Sequence, residues 1–188
     1  MISGKNYIGD KLSSNSSITF KTFNPLINIE NDILFFEASD SEIKKATKIA
    51  SEAFRYYKQV SAKDRARFLV QISDELSLIS DDIVKIYCKE TGLPEARCLG
   101  ELGRTMNQLK SFANLLLEGS FQEISIDTPI PDRKPISKPD LRKMLMPIGP
   151  VVVFGASNFP LAYSTAGGDT ASALAAGCPV ILKSHPMH

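Results

Sequence analysis

Two polar side chains follow apolar runs at positions where α/β proteins bind their ligands. Asn158 comes shortly after Val151–Phe154, and Lys183 ends the apolar run that begins at Val180. Each run is typical of a parallel strand, and open α/β sheets bind ligands at the carboxyl ends of such strands. An asparagine amide there can donate a hydrogen bond to a developing oxyanion. A lysine there can contact the ribose or phosphate of a nucleotide.

Both side chains also have a purely structural explanation, which spacing alone favours. Asparagine is common in turns because its side chain bonds to nearby backbone, and a surface lysine often closes a strand. Gly155, Gly167 and Gly168 do not form a GxGxxG fingerprint, so the usual dinucleotide motif is absent. The spacing therefore indicates a Rossmann-like unit without identifying its ligand.

The cysteines and histidines fall in no pattern typical of a metal or nucleophile site. Cys88, Cys98 and Cys178 include no CxxC pair, and His185 and His188 lie at the end of the sequence. A small core residue is the simplest explanation of these cysteines, because no base partner is visible near them. An odd cysteine count without a secretory signal favours a reducing compartment, so we predict a cytoplasmic location and no metal site.

Composition and charge argue against two classes of partner. The 188 residues are 43% hydrophobic and 23% charged, with a net charge of +1. Such values are ordinary for a globular domain, and so small a charge attracts neither nucleic acid nor an anionic membrane. No apolar run reaches the length of about eighteen residues that a membrane span needs, so we predict no membrane or nucleic-acid partner.

Capping signals and periodicity predict four helices after a β-rich arm over residues 1–37. Ser39 and Glu42 have capping-box spacing, while Gly92 and Gly119 are typical helix ends. The predicted helices span 41–58, about 61–79, 80–92 and 94–119. The predicted buried face of the first helix consists of Ile43, Ala46, Ala50, Ala53 and Tyr57.

The last third of the sequence predicts a hairpin and then a β-α-β unit. Residues 120–146 form the predicted hairpin, whose middle is rich in prolines that cannot donate to a strand ladder. From residue 147 we predict a strand buried on both faces, a helix over 160–176 and a second strand. The predicted divisions of this α/β fold are therefore an arm with helices over residues 1–119, a hairpin over 120–146 of the oligomerisation type, and an incomplete Rossmann-like unit over 147–188.

Five groups of motifs, in order along the chain, resemble those of the aldehyde dehydrogenase superfamily. They are Ile8-Gly9-Asp10 with Phe23-Asn24-Pro25, Ala53-Phe54 with Arg65-Ala66-Arg67, Glu90–Arg97, Pro147–Val151, and Asn158-Phe159-Pro160. The runs Phe154–Ala162 and Gly167–Pro179 are similar to its α-ketoglutaric semialdehyde (2,5-dioxovalerate) dehydrogenase branch. Most other branches have Pro-Trp where this chain has Ala156-Ser157.

The resemblance implies an N-terminal piece of an NAD(P)-dependent enzyme that oxidises an aldehyde, such as α-ketoglutaric semialdehyde, to a carboxylate. In this family a cysteine thiolate attacks the aldehyde, and the motif asparagine, here Asn158, donates to the resulting oxyanion. A glutamate then activates the water that hydrolyses the thioester. The family's cysteine and glutamate positions come well after Lys183 and match no residue here, so we expect the chain to be inactive alone.

The resemblance also implies a cofactor site and a homo-oligomeric complete protein. Lys183 would contact the adenosine ribose. The other implied cofactor-binding residues are Phe154, Gly155, Ala156, Ser157, His185 and Pro186. Pro186 stands where many NAD-preferring members carry a glutamate, and the loss of that carboxylate removes repulsion against a 2′-phosphate. NADP is therefore the predicted cofactor, with NAD as the alternative.

Two further hypotheses remain beside the family assignment. The chain could be a standalone nucleotide-binding or oligomerisation module that pairs through residues 120–146. Alternatively, the helical region over 40–119 could be an interaction domain with an incidental resemblance. This last hypothesis is the weakest, because the motifs continue beyond residue 119.

Overall fold

Residues 2–187, the portion of the chain that the structure describes, contain eight short strands, five α-helices and one 3-10 helix (Ser120–Gln122) in a computed structural model. His188 lies outside the described residues. The strands are β1 (Asn6–Ile8), β2 (Lys11–Ser13), β3 (Thr19–Asn24), β4 (Ile29–Phe36), β5 (Ser125–Asp127), β6 (Leu141–Lys143), β7 (Val151–Phe154) and β8 (Val180–Lys183). The helices are α1 (Asp40–Tyr57), α2 (Ala62–Leu78), α3 (Ser80–Thr91), α4 (Glu95–Glu118) and α5 (Gly168–Ala176).

The N-terminal arm is β-rich, as predicted, and consists of two antiparallel hairpins. β1 pairs with β2, and β3 pairs with β4. Ser39 and Glu42 form the predicted capping box at the start of α1. The predicted face of α1 is partly wrong, because Ile43 and Ala53 are exposed while Glu42 is only 2% exposed. Glu42 is buried because it receives hydrogen bonds from the arm as well as from its own helix cap.

The helices begin and end close to the predicted residues. Ser61 caps α2 by accepting a hydrogen bond from the Asp64 N–H. α3 and α4 end at Gly92 and Gly119, whose φ angles of +69° and +85° are left-handed. Glycine adopts this conformation without the steric penalty of a Cβ, which explains why both helices stop there.

The hydrophobic core joins the helical region to the β-α-β unit. Its buried residues come from α2, α4 and α5, and they are Ala66, Leu69, Leu109, Ala113, Leu116, Ala171 and Ala175. In addition, the Tyr57 hydroxyl of α1 donates a 3.0 Å hydrogen bond to the Leu174 carbonyl of α5. Small residues on α5 allow this close approach to α2 and α4, so the core spans sequence on both sides of the hairpin.

The hairpin arm, defined as residues 120–146, follows α4. β5 and β6 are antiparallel, with Ser125 opposite Lys143, and an isolated bridge between Ile130 and Lys138 extends the pairing. The predicted strand–turn–strand path is confirmed. The division of the chain into three regions, and the role of this arm in oligomerisation, remain predictions.

The C-terminal region contains the predicted β-α-β unit, in which β7 and β8 pair in parallel. The predicted strand buried on both faces is wrong: Val153 is buried, but Val152 and Phe154 are 51% and 70% exposed. Among the described residues, α5 covers only one face of this two-stranded sheet, so alternate side chains of β7 face solvent.

The predicted helix over 160–176 is also partly wrong, because α5 begins only at Gly168. The preceding residues form turns, and the Gly167 and Gly168 N–H groups donate to Ser164 and Ala162. A Cβ on Gly167 would lie 2.4 Å from the Ala162 carbonyl oxygen, so this close fold-back depends on a glycine. None of the helices described over residues 2–187 is long and apolar enough to cross a membrane.

Candidate functional site

The candidate site lies at the carboxyl edge of the parallel pair β7–β8. Phe154 and Lys183 are partners in the register, so the two strands end side by side. The Gly155 N–H continues the pairing with a 3.0 Å hydrogen bond to the Lys183 carbonyl. Both side chains are exposed, which leaves an aromatic ring and a cation available at one edge of the sheet.

The chain turns sharply after β7 to form what we call the site loop, residues 155–163. A Cβ on Gly155 would lie 3.2 Å from the His185 backbone nitrogen, so the two backbone segments pass close to each other here. The Ala156 N–H donates a 2.9 Å hydrogen bond to the Tyr163 carbonyl and closes the loop. The loop therefore places Ser157 and Asn158 at its exposed tip.

Asn158 presents its side chain to solvent while its backbone is held. Its carbonyl accepts a long hydrogen bond of 3.4 Å from Arg97 Nη2. Among residues 2–187, no partner accepts or donates a hydrogen bond to the Asn158 side-chain amide. Over the described residues, the Asn158 amide therefore does not bond to nearby backbone, as the turn explanation required. The amide is available to a ligand.

Glu101 of α4 anchors the other end of the site loop. Its side chain is 4% exposed, and its Oε2 accepts hydrogen bonds from the N–H groups of Leu161 and Ala162 at 3.1 and 3.2 Å. Its Oε1 accepts from the Tyr87 hydroxyl at 2.9 Å and from Arg97 Nε at 2.8 Å. One carboxylate thus receives four hydrogen bonds and connects two helices to the site loop.

These contacts determine the charge state of Glu101. Burial raises the pKa of the Glu101 carboxyl, but the hydrogen bonds from Arg97, from the Ala162 and Leu161 N–H groups and from Tyr87 outweigh it and lower that pKa. Burial, together with the neighbouring Glu101, raises the pKa of the Tyr87 hydroxyl. Glu101 is therefore an ionised acceptor at neutral pH, and Tyr87 remains a donor.

Arginine and aromatic side chains cover the outer side of the site loop. The Arg97 guanidinium lies 4.7 Å from the centre of the Phe159 ring. Arg104 lies 5.0 Å from the Tyr163 ring and donates a hydrogen bond to the Tyr163 hydroxyl. Phe159 and Tyr163 pack edge to face at 5.3 Å. Such contacts contribute roughly 0.5–1 kcal/mol each at exposed sites, and here they hold the residues beside Asn158.

Sequence reasoning assigned no site role to Glu101 or to Arg97, although the pattern of α4 contains a signal for Glu101. Glu101 lies between Cys98 and Thr105 at helical spacing, on the face of α4 that is otherwise filled by small and apolar residues. A carboxylate in such a stripe needs partners, because burying an unpaired charge is strongly unfavourable. The partners lie about sixty positions further along the chain, which periodicity cannot reveal.

The remaining implied cofactor residues lie around the same edge. Ser157 lines a cleft of about 300 Å³ together with residues of the N-terminal arm and of α3. The half-buried His185 accepts a 3.2 Å hydrogen bond at Nδ1 from the Met187 N–H, and Pro186 is exposed. An exposed ring on which a base can stack, beside a lysine that can donate to hydroxyl or phosphate oxygens, is a combination that suits a nucleotide.

The burial of the cysteines does not suit them to a nucleophilic role. Cys98 and Cys178 are buried and Cys88 is half-buried. Burial raises the pKa of the Cys98 thiol to about 11, so this side chain is a thiol at neutral pH and a poor nucleophile. Within residues 2–187, no three His, Cys, Asp or Glu side chains are grouped closely enough to hold a metal ion.

Comparison with known proteins gives a consistent result. The sequence profile of the aldehyde dehydrogenase family matches residues 12–187. The chain is 45% identical over its full length to an α-ketoglutaric semialdehyde dehydrogenase of Azospirillum brasilense, covering 36% of that protein. It is 42% identical over 98% of its length to an α-ketoglutaric semialdehyde dehydrogenase of Acinetobacter baylyi, covering 35% of that protein. The chain thus spans about a third of the length of these curated relatives.

The fold also matches solved structures. A betaine aldehyde dehydrogenase from Staphylococcus aureus, crystallised with NAD+, superposes with a TM-score of 0.85 at 23% sequence identity. The match covers the whole of this chain and 36% of that protein. At this level of identity the likeness establishes the fold, and it confirms the predicted α/β architecture over the part of that protein that the chain spans.

Proposed function

The chain belongs to the aldehyde dehydrogenase family, and we propose that the complete protein oxidises a semialdehyde of the α-ketoglutaric semialdehyde type to a carboxylate. The observation that carries the substrate class is the identity of more than two fifths to two relatives that bear this activity in their names. Per aldehyde, the reaction consumes one water, transfers one hydride to NADP or NAD, and releases two protons.

In this proposal Asn158 supplies half of an oxyanion hole. A thiolate that lies outside these 188 residues attacks the aldehyde carbon, and the carbonyl oxygen becomes an oxyanion. The Asn158 amide donates a hydrogen bond to that oxygen. Two features support this role: the amide has no competing partner in the described chain, and the loop that carries it is anchored at both ends. A fixed donor needs little reorganisation during the reaction.

The carboxyl edge of β7–β8 would hold the cofactor. Lys183 would donate to the adenosine ribose, and Phe154, Gly155, Ala156 and Ser157 would line the cofactor, as would His185 and Pro186. When bound, the nicotinamide accepts the hydride that leaves the substrate carbon. The exposed Pro186 places no carboxylate against a 2′-phosphate, which favours NADP. Turnover with NAD combined with an absence of NADP binding would contradict this preference.

The 188-residue chain alone should not oxidise aldehydes, because its cysteines match neither the family's nucleophile position nor its chemistry. The buried Cys98 thiol is protonated at neutral pH. Aldehyde turnover by the isolated chain would overturn this expectation. A second candidate, a module that pairs subunits without catalysis, is supported by the exposed apolar side chains of the hairpin arm, such as Ile126 and Leu141.

The direct test is Asn158→Ala in the complete protein. Removing one oxyanion-hole donor typically lowers kcat by about 100- to 1,000-fold, and we expect a loss on that scale with little change in cofactor binding. Reduced nicotinamide formation measures kcat, and a cofactor titration measures binding. A variant that retains the parent kcat would show that Asn158 has no such role.

A further inference from the structure

We propose that Glu101 and Arg97 of α4 form a positioning clamp that fixes the backbone from Asn158 to Ala162 and so sets the direction in which the Asn158 side chain leaves the backbone. The inference rests on the proposed function of Asn158 and adds two residues to which the sequence motifs assigned no role: Glu101 lies outside them, and Arg97 is the last residue of the Glu90–Arg97 segment. The carrying observation is that the two side chains bond to each other and hold the site loop at Asn158, Leu161 and Ala162.

The first contact of the clamp is between Glu101 and the backbone after Asn158. Glu101 Oε2 accepts hydrogen bonds from two consecutive N–H groups, those of Leu161 and Ala162. The loop is not helical here, so these donors have no carbonyl partners of a regular helix. Charge-assisted hydrogen bonds are roughly twice as strong as neutral ones, and two on one oxygen restrain both position and orientation.

The second contact runs through Arg97 to Asn158 itself. Arg97 Nε donates to Glu101 Oε1 at 2.8 Å, while its Nη2 donates to the Asn158 carbonyl at 3.4 Å. The same guanidinium lies over the Phe159 ring at 4.7 Å. Glu101 thus orients Arg97, and Arg97 restrains the peptide that joins Asn158 to Phe159. Because the Asn158 side chain makes no hydrogen bond within residues 2–187, this backbone restraint is what fixes the position of its Cβ, from which the amide extends.

The rigidity of α4 makes the clamp effective. Glu101 lies on the face of α4 that also contributes Leu102, Thr105 and Leu109 to the buried interior. The Tyr87 hydroxyl of α3 donates to Glu101 Oε1 and fixes its rotamer from the other side. A displacement of this carboxylate would therefore move the site loop, and a 1 Å misplacement of a reacting group can slow an enzyme by about 100-fold.

The decisive experiment is a double-mutant cycle on kcat in the complete protein. Glu101→Gln keeps the shape of the side chain, but its NH₂ group must face either the Leu161 and Ala162 N–H groups or the Tyr87 and Arg97 donors. Two donors then oppose each other, so we expect kcat to fall about 10- to 100-fold with cofactor binding unchanged. Asn158→Ala gives its own, larger loss. If Glu101 acts through Asn158, the double variant should have the kcat of Asn158→Ala within about twofold. If instead the kcat losses of the two single variants multiply in the double variant, Glu101 does not act through Asn158 and the clamp is wrong.

A second variant protects the test against simple misfolding. Arg97 is 42% exposed, and Arg97→Met removes its hydrogen bonds to Glu101 and Asn158 while leaving the Leu161 and Ala162 bonds in place. We expect kcat to fall about 3- to 10-fold, again without a further loss on top of Asn158→Ala. Lys110→Met is the matched control, because it removes an exposed cation of the same helix whose ion pair, with Asp74 at 3.9 Å, does not involve the site loop, and kcat should change less than about threefold.

The outcomes separate this inference from the proposed function. If Asn158→Ala lowers kcat but Glu101→Gln and Arg97→Met do not, the clamp is wrong and the oxyanion role stands. If Asn158→Ala itself leaves kcat unchanged, the proposed function of Asn158 fails first. Equal thermal unfolding of Lys110→Met and Arg97→Met, with only the latter losing kcat, would support positioning rather than general stability.

Discussion

The site loop and the hairpin arm both project from the helical core, but they are held in different ways. The site loop is anchored by the buried carboxylate of Glu101, which receives four hydrogen bonds, and by aromatic contacts on its outer side. The hairpin arm has its strand pairing and two ion pairs, Lys138–Asp127 and Arg142–Asp140, in each of which at least one partner is exposed. Surface ion pairs stabilise by about 0–1 kcal/mol at most, so the arm is the less restrained of the two.

Glu42 indicates that the buried carboxylate is a repeated device in this chain. It accepts hydrogen bonds from the Ser13 hydroxyl and the Asn15 N–H of the N-terminal arm, and from Ser39 at the start of α1. Glu42 therefore fastens an N-terminal segment to α1 as Glu101 fastens the site loop to α4. The hairpin arm, by contrast, leaves Ile126, Ile136 and Leu141 exposed. Buried carboxylates thus hold two segments of the described chain, whereas the hairpin arm has apolar side chains at its surface.

The largest effect on stability should come from Gly167→Ala, at the base of the site loop. The new Cβ would lie 2.4 Å from the Ala162 carbonyl oxygen and 2.9 Å from the Ser164 nitrogen, and these are backbone atoms that cannot rotate away. We expect the free energy of unfolding to fall by about 3 kcal/mol, at the upper end of overpacking effects. Urea titration of the complete protein measures this change.

Gly100→Ala is the matched control for that substitution. Gly100 lies inside α4, and a Cβ there would meet no atom within 4 Å. Alanine is favoured over glycine in a helix interior by roughly 0.5–1 kcal/mol, so this variant should be slightly more stable than the parent protein. Similar stability for the two variants would mean that the fold-back at Ala162 does not require a glycine.

The contrast between the two regions also explains what the sequence could and could not predict. Helix ends at Gly92 and Gly119 and the cap at Ser39 were predictable because their signals are local. The start of α5 was not, since the extended backbone of Gly167 depends on its contact with Ala162. At the candidate site, strand position and motif resemblance both indicated Asn158 and Lys183, whose roles remain predictions. The anchoring role of Glu101 depends on residues about sixty positions away, so no pattern in α4 could specify it.

A smaller, pH-dependent effect is expected for Glu42→Gln. Hydrogen bonds from the Ser13 hydroxyl and the Ser39 N–H, opposed by burial, lower the pKa of Glu42 from its ordinary 4.5 to about 2. A carboxyl whose pKa is lower in the folded state stabilises the fold fully above about pH 4.5, and this stabilisation is lost as the pH falls towards 2. The wild type should therefore exceed Glu42→Gln in urea midpoint at pH 7, and the difference should shrink through that window.

Glu52→Gln provides the control for this pH dependence. Glu52 lies on the same helix but is exposed, in a surface pair with Lys48 at 3.9 Å. Its removal should leave the acid dependence of the midpoint unchanged, because exposed pairs are screened and weak. Parallel pH curves for Glu42→Gln and the wild type would show that the Ser13 and Ser39 contacts do not fix the Glu42 carboxylate.

The smallest effect on the fold should come from the hairpin arm. Ile126 is 62% exposed on β5, so Ile126→Lys places a charge where solvent already reaches. The circular dichroism spectrum should therefore not change, and the free energy of unfolding should shift by less than about 0.5 kcal/mol. If the arm pairs subunits, the charge would instead enter an apolar contact between copies, and sedimentation should detect a larger monomer fraction. Tyr56→Lys, at a residue of α1 that is 78% exposed, is the control and should leave association unchanged. Unchanged association of Ile126→Lys would remove β5 from the pairing surface, whereas a large loss of stability would mean that the arm is as firmly packed as the site loop.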